Sequence, residues 1–236
     1  MDWRLVWRAL RARYRDEKVE LNLIRDAISC SDLVCDIGSN KGSYLFWMAR
    51  WAGQVVAFEP QQDLAAYLKR SFGRRSNVTI EAKGVFSESG QRMLFIPPDA
   101  PASASFVHKA GQELATPVVS LDEYFPADRL VSLLKIDVEG AELDVFRGSK
   151  RILTESGPVL LFECEDRHCD HSIHEVFSFL ETLGYVGHFV CGDRLLPLAD
   201  FNLDIHQKRE GERFWDRPNY CNNFFFARDL ASTRFC

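Results

Sequence analysis

Hydrophobic and polar positions along the chain change period several times, and each change predicts an element. Trp3, Val6, Trp7, Leu10 and Tyr14 fall at helical spacing, which predicts a helix over residues 2–29. Arg4, Arg8, Arg11 and Arg15 form a basic stripe on that helix. It reads either as a solvated face or as a contact for an anionic substrate or a membrane surface. Short apolar runs then alternate with helical stretches. They predict strands at 33–37, 54–59, 78–85, 91–96 and 116–120, with helices at 43–52 and 61–72. A further strand is expected just before Asp137, then a helix over 142–155, a strand at 158–163 and a helix at 173–183. The last strands are expected at 185–190 and 223–227. Between Pro97 and Ser105 the chain is rich in proline and serine and has no apolar period. That predicts a long loop, of the kind often used as a lid. Strands alternating with helices imply a mostly parallel α/β sheet covered on both faces. The expected organisation is an N-terminal helical segment, 1–32, followed by one α/β domain, 33–236.

In such sheets ligands bind at the carboxyl ends of the strands. Four acids are expected there: Asp36, Glu59, Asp137 and Glu163. Like charges repel, so stability alone does not account for four acids on one rim. The most informative stretch is Val34-Cys35-Asp36-Ile37-Gly38-Ser39-Asn40-Lys41-Gly42, a strand that runs straight into a small-residue turn. Gly38 and Gly42 let a backbone approach a ligand closely, and Asn40 tolerates a positive φ better than most residues. A dinucleotide fingerprint needs Gly-x-Gly-x-x-Gly around a pyrophosphate. Here Asn40 stands for the second glycine and Ser43 follows Gly42. A turn built on polar contacts suits S-adenosylmethionine (SAM), which has no phosphate. Glu59, followed by Pro60, lies 23 positions after Asp36 at the end of the next strand. That is where an acid binds the two ribose hydroxyls of an adenosine. Lys83 and Gly84, at the end of the third strand, are expected beside the adenine. The plain alternatives are an ordinary tight turn and, for Glu59, an acid favoured at a helix N-terminus.

Composition narrows the partners. A chain of 236 residues is one large domain or a domain with appendages, and a net charge of -5 argues against nucleic acid as a bulk electrostatic partner. No window approaches the apolar length of a membrane span, and the first residues lack the apolar core of a signal peptide. Seven cysteines is an odd number at spacings unlike a disulfide framework, so a cytoplasmic location is expected.

Later motifs complete a recognisable set. They are Val56-Ala57-Phe58-Glu59-Pro60, Val119-Ser120-Leu121-Asp122-Glu123, Leu134-Lys135-Ile136-Asp137-Val138-Glu139-Gly140-Ala141-Glu142 and Asn222-Asn223-Phe224-Phe225-Phe226-Ala227. With the first turn they cover about residues 33–229, and the chain resembles the FkbM family of SAM-dependent methyltransferases. The resemblance implies a Rossmann-like class I methyltransferase fold, with a seven-stranded, mostly parallel sheet and an antiparallel last strand. It also implies transfer of a methyl group to a hydroxyl of a small molecule or sugar. It does not identify the acceptor or the oligomeric state.

An alcohol is protonated at neutral pH, so a base helps it attack the sulfonium methyl. Asp137 is the first candidate, with a helix-capping acid as its plain reading. Glu139 and Glu163 come next. His168 could serve because histidine titrates near the working pH. Cys164, His168, Cys169, His171 and His174 do not match the spacing of structural zinc sites, so no metal site is assigned. Two alternatives stay open: Mg²⁺ held by Asp137 and Glu163 in a metal-dependent O-methyltransferase, or SAM binding without turnover. Acceptor specificity is expected in the loops 97–117 and 200–220.

Overall fold

The computed structural model describes residues 2–229; the expected domain end at 236 lies outside them. Helix α1 (Trp3–Arg11) starts at Asp2, whose carboxylate accepts the Arg4 N–H at 3.0 Å. The single helix expected over 2–29 is broken by a π-turn at Ala12–Asp16 before α2 (Lys18–Ala27). There the Glu17 N–H reaches Ala12 O, five residues back, at 2.8 Å. The wider turn swings Arg13 inward, and its guanidinium lies 5.6 Å from the Trp51 ring centroid.

Two βαβ units follow: β1 (Leu33–Ile37), α3 (Ser43–Trp51), β2 (Gln54–Phe58), α4 (Gln62–Phe72) and β3 (Val78–Glu81). Their strands pair in parallel, with Val34 opposite Val55 and Val55 opposite Val78. The strand expected over 78–85 divides. The Glu81 carbonyl accepts the Glu59 N–H, and the chain then leaves the main sheet. It continues as β4 (Gly84–Val85), which with β5 (Gly90–Ile96) and β6 (Gln112–Val119) forms a small sheet in the order β4-β6-β5. Part of the loop expected over 97–117 is therefore strand. Its first residues are exposed and polar, so no apolar alternation announced it.

A short α5 (Leu121–Tyr124) leads to β7 (Leu133–Ile136). The helix expected over 142–155 is two, α6 (Glu142–Arg147) and α7 (Lys150–Glu155). They part at Gly148, where the backbone runs so close to Phe86 O that an added Cβ would lie 2.1 Å from it. Next come β8 (Val159–Glu163), α8 (Ile173–Thr182), β9 (Val186–Cys191), β10 (Arg194–Pro197), α9 (Leu203–His206) and β11 (Asn223–Ala227).

Among the described residues the main sheet has eight strands, in the order β10-β9-β11-β8-β7-β1-β2-β3. The expected seven is corrected by β10, a hairpin partner of β9 turned at Gly192 with φ 59°. The last strand is antiparallel to both neighbours, as expected. Strands β1 and β7 are buried at every position, because helices cover both faces. One core holds Phe58, Phe146, Phe162, Phe224 and Phe226; the other holds Leu5, Leu21, Val34, Leu45 and Phe225. Alternate residues of β11 thus face opposite layers, and α1 and α2 are part of the second core. The strand order reverses beside β1, which has β2 on one side and β7 on the other. In open α/β sheets this switch point opens a crevice at the strand carboxyl ends.

Candidate functional site

The turn after β1 is built from three left-handed residues, Gly38 (φ 76°), Asn40 (φ 47°) and Gly42 (φ 77°). The N–H groups of Gly38 and Ser39 both bond to Phe58 O, which ties the turn to the end of β2. The Ser39 hydroxyl donates to Asp36 O at 2.8 Å. Gly38 is packed so tightly on β7 that a Cβ would lie 1.8 Å from Asp137 O. Asp36 is fully buried beneath the turn, and burial raises its pKa while the nearby Lys135 ammonium opposes that shift. Asp36 and Gly42 shape the turn and do not line the two clefts beside it.

The first cleft takes in about 510 Å³, part of it open to solvent, between the ends of β1, β2, β4 and β7. Glu59 and Pro60 form one wall, and Lys83 and Gly84 form another. Glu59 is 3% exposed, and its two carboxylate oxygens accept the N–H groups of Asn40 at 2.7 Å and Gln61 at 2.9 Å. Burial pushes its pKa up to about 7, against the pull of those two N–H groups. Each oxygen keeps an acceptor site for a further donor. Phe106 closes the cleft over Gly84, where a Cβ would meet its ring at 2.5 Å. Phe106 was missed by the sequence reading, which treated its segment only as loop.

The second cleft is wider, about 970 Å³, much of it open to solvent, and lies under α1. Trp7, Arg8, Arg11, Glu17, Tyr44 and Lys135 are among its walls. Asp137 lines both clefts, at the point where they meet. Its backbone N–H bonds to Ile37 O, and its carboxylate accepts from Lys135 Nζ at 3.2 Å. Burial works against the charge on Lys135, but Asp137 and Asp36 outweigh it and hold the pKa above its ordinary value. Tyr44 donates to Glu17 at 2.8 Å, and burial raises the Glu17 pKa. Lys135, Tyr44 and Glu17 were not among the expected site residues. The lysine could have been noticed as a charge inside an otherwise apolar strand.

The remaining expected residues divide. Glu163 lies with Asp137, Lys135, Glu17 and Tyr44 around a smaller cavity. Burial first, then the charges of Asp137 and Glu139, raise its pKa well above the carboxylate range, and Asn222 donates to it at 2.6 Å. Glu139, itself left-handed at φ 54°, lines the first cleft and pairs with His168 at 2.9 Å. His168 lines neither cleft; its ring lies against His108 instead. Of the cysteine and histidine group, Cys164 and Cys169 meet with Sγ atoms 3.5 Å apart, and Glu142 lies 3.8 Å from each. Among the described residues all the cysteines are free thiols, and no helix is long and apolar enough to cross a membrane.

Residues 36–186 match the family model described as the methyltransferase FkbM domain. The hexuronic acid methyltransferase AglP of Haloferax volcanii is 30% identical over 148 residues, 60% of this chain. The match spans 61% of the length of that curated relative. Two solved structures share the fold. Methyltransferase FkbM from Methylobacillus flagellatus has a TM-score of 0.57 at 16% identity, covering 84% of this chain and 44% of that one. A Streptococcus mutans methyltransferase in complex with SAH has a TM-score of 0.52 at 11% identity, covering 90% and 97%.

Proposed function

Because this chain belongs to the methyltransferase FkbM family, we propose that it transfers a methyl group from SAM to a hydroxyl oxygen of a sugar, with a sugar acid as the favoured acceptor. The observation that carries this reading is Asp137, set where a narrow cleft whose lining suits an adenosine meets a wider cleft suited to an acceptor.

The residues of the first cleft fit the cofactor. Glu59 is oriented by two N–H groups and keeps lone pairs for two ribose hydroxyls. Asn40 Oδ1 is buried without a hydrogen-bond partner, which marks it for a donor from a ligand. When bound, SAM supplies an electrophilic methyl group on a sulfonium. Asp137 would hold the acceptor hydroxyl and take its proton as the O–CH₃ bond forms, the S–CH₃ bond breaks and S-adenosylhomocysteine leaves. Lys135 is a positioning residue that holds the Asp137 carboxylate. Its ammonium also supplies positive charge beside Asp137, a place that the magnesium-dependent alternative would give to the metal.

The second cleft supports a sugar acid. Trp7 offers an apolar face for a pyranose ring, and Arg8, which also donates to Tyr67 at 3.0 Å, and Arg11, which pairs through Nε with Asp16 at 2.6 Å, bring positive charge that suits a carboxylate. The relative AglP is named for hexuronic acid.

The test uses purified protein, labelled SAM and a panel of uronic acids beside their neutral sugars. Label in an alkali-stable methyl ether, with the uronic acids preferred, is the expected result. A base-labile methyl ester would move the reaction to the carboxylate. Tight SAM binding with no transfer to any hydroxyl would favour the reading without turnover.

A further inference from the structure

One face of α1 does nothing for the fold. Leu5, Ala9 and, just past the helix, Ala12 bury the opposite side. On the free face Trp3, Trp7, Leu10 and Tyr14 are 71%, 56%, 41% and 70% exposed. At the helical repeat Trp3, Trp7 and Leu10 form one narrow stripe, which Tyr14 extends past the π-turn. Arginines run along its edge: the Arg4 guanidinium lies 5.8 Å from the Trp3 ring centroid, and that of Arg11 lies 5.7 Å from Trp7. Arg13 turns inward, but Arg4, Arg8, Arg11 and Arg15 border this face against one acid, Asp16, which pairs with Arg11 at 2.6 Å and Arg15 at 3.6 Å, in a chain whose net charge is -5. An exposed patch of this kind marks an interaction surface. Tryptophan and tyrosine beside arginine is the combination favoured where water meets lipid headgroups.

We propose that this face of α1 docks the protein on an anionic lipid surface, with the helix lying in the headgroup plane. Charge complementarity selects this occupant. The basic stripe is attracted to negative headgroups, whereas two copies of the face would set arginine against arginine. At nine residues α1 is too short to span a bilayer, so the contact is peripheral. Trp7, Arg8 and Arg11 also line the wider cleft, so docking turns the mouth of that cleft toward the surface. That the acceptor sugar is therefore met on a lipid carrier rests on the methyl-transfer reading; the docking itself does not.

The test is co-sedimentation of the full chain with phosphatidylcholine vesicles, with and without phosphatidylglycerol. Binding only to the anionic vesicles, released by high salt, is expected. The triple variant Trp3→Ser, Arg4→Glu, Arg15→Glu should lower partitioning at least tenfold, since each arginine contributes about fivefold. None of the three lines either cleft, so calorimetric SAM binding serves as the control that the variant is folded. No sedimentation with anionic vesicles would overturn the proposal, as would equal binding to neutral ones or undiminished binding by the folded variant. A dimer abolished by the variant, without vesicle binding, would assign the face to a second copy. Loss of SAM binding in the parent protein would strike the methyl-transfer reading and leave docking standing.

Discussion

Lys135 bridges two acids of different standing: its ammonium lies 3.2 Å from Asp137 Oδ2 in the cleft and 3.9 Å from Asp36 Oδ1 beneath the turn. The bridge follows from register, because Lys135 on β7 sits directly opposite Asp36 on β1. One buried cation thus couples the turn proposed to hold the cofactor to the residue proposed to act on the acceptor.

Lys135→Met should cost about 3–5 kcal/mol, because it leaves buried Asp36 without its compensating charge. Urea unfolding at neutral pH would measure it. A loss below about 1 kcal/mol would mean that Asp36 is already neutral or solvated.

Glu59 gives the site a pH signature. Its pKa is raised from 4.5 to about 7, chiefly by burial. The folded protein therefore holds that proton more tightly than the unfolded chain between those values. The Glu59 contribution to stability is fully present below pH 4.5 and is lost as pH rises through about 7. SAM binding has the opposite sign, since accepting two ribose hydroxyls needs the carboxylate. Calorimetric affinity should fall about tenfold per unit as pH drops below that pKa. Glu59→Gln should bind at least about tenfold more weakly at pH 8 and lose the slope. A parent affinity independent of pH would remove Glu59 from the ribose.

Asp137→Asn keeps the shape and removes the charge. Turnover should fall by roughly 10²-fold or more while SAM affinity stays within a few fold. Single-turnover kinetics with a working acceptor would separate the two. If turnover survives, Glu163 becomes the next candidate, as it shares a cavity with Asp137.

Two glycines with similar φ should respond differently to alanine. At Gly184 (φ 83°) an added Cβ meets nothing within 4 Å, so only the backbone penalty of about 1–2 kcal/mol is expected. At Gly38 (φ 76°) the Cβ would sit 1.8 Å from Asp137 O, so the loss should exceed about 4 kcal/mol and abolish SAM binding. Thermal unfolding of both variants would test the contrast. Equal losses would show that β7 can move away from the turn.

Much of this protein was legible in its residue order. Apolar runs ending in Asp36, Glu59 and Glu163, and the left-handed needs of Gly38, Asn40 and Gly42, are local properties. They pointed to a parallel sheet, a cofactor turn and acids at its carboxyl rim. Breaks in elements were less legible. The parting of α6 from α7 at Gly148 and the departure of β4 from the main sheet answer contacts with distant segments, and the π-turn after α1 turns Arg13 toward the distant Trp51. Tertiary structure alone decided which residues share the site. Lys135 reaches Asp36 only through the pairing of β7 with β1, Phe106 reaches Gly84 only when the loop before β6 folds over β4, and α1 brings Trp7, Arg8 and Arg11 to a cleft more than twenty residues away in sequence. Periodicity reports what each segment does to its own neighbours, whereas a site is assembled by strand order and helix packing, which juxtapose residues whose sequence separation carries no record of the contact.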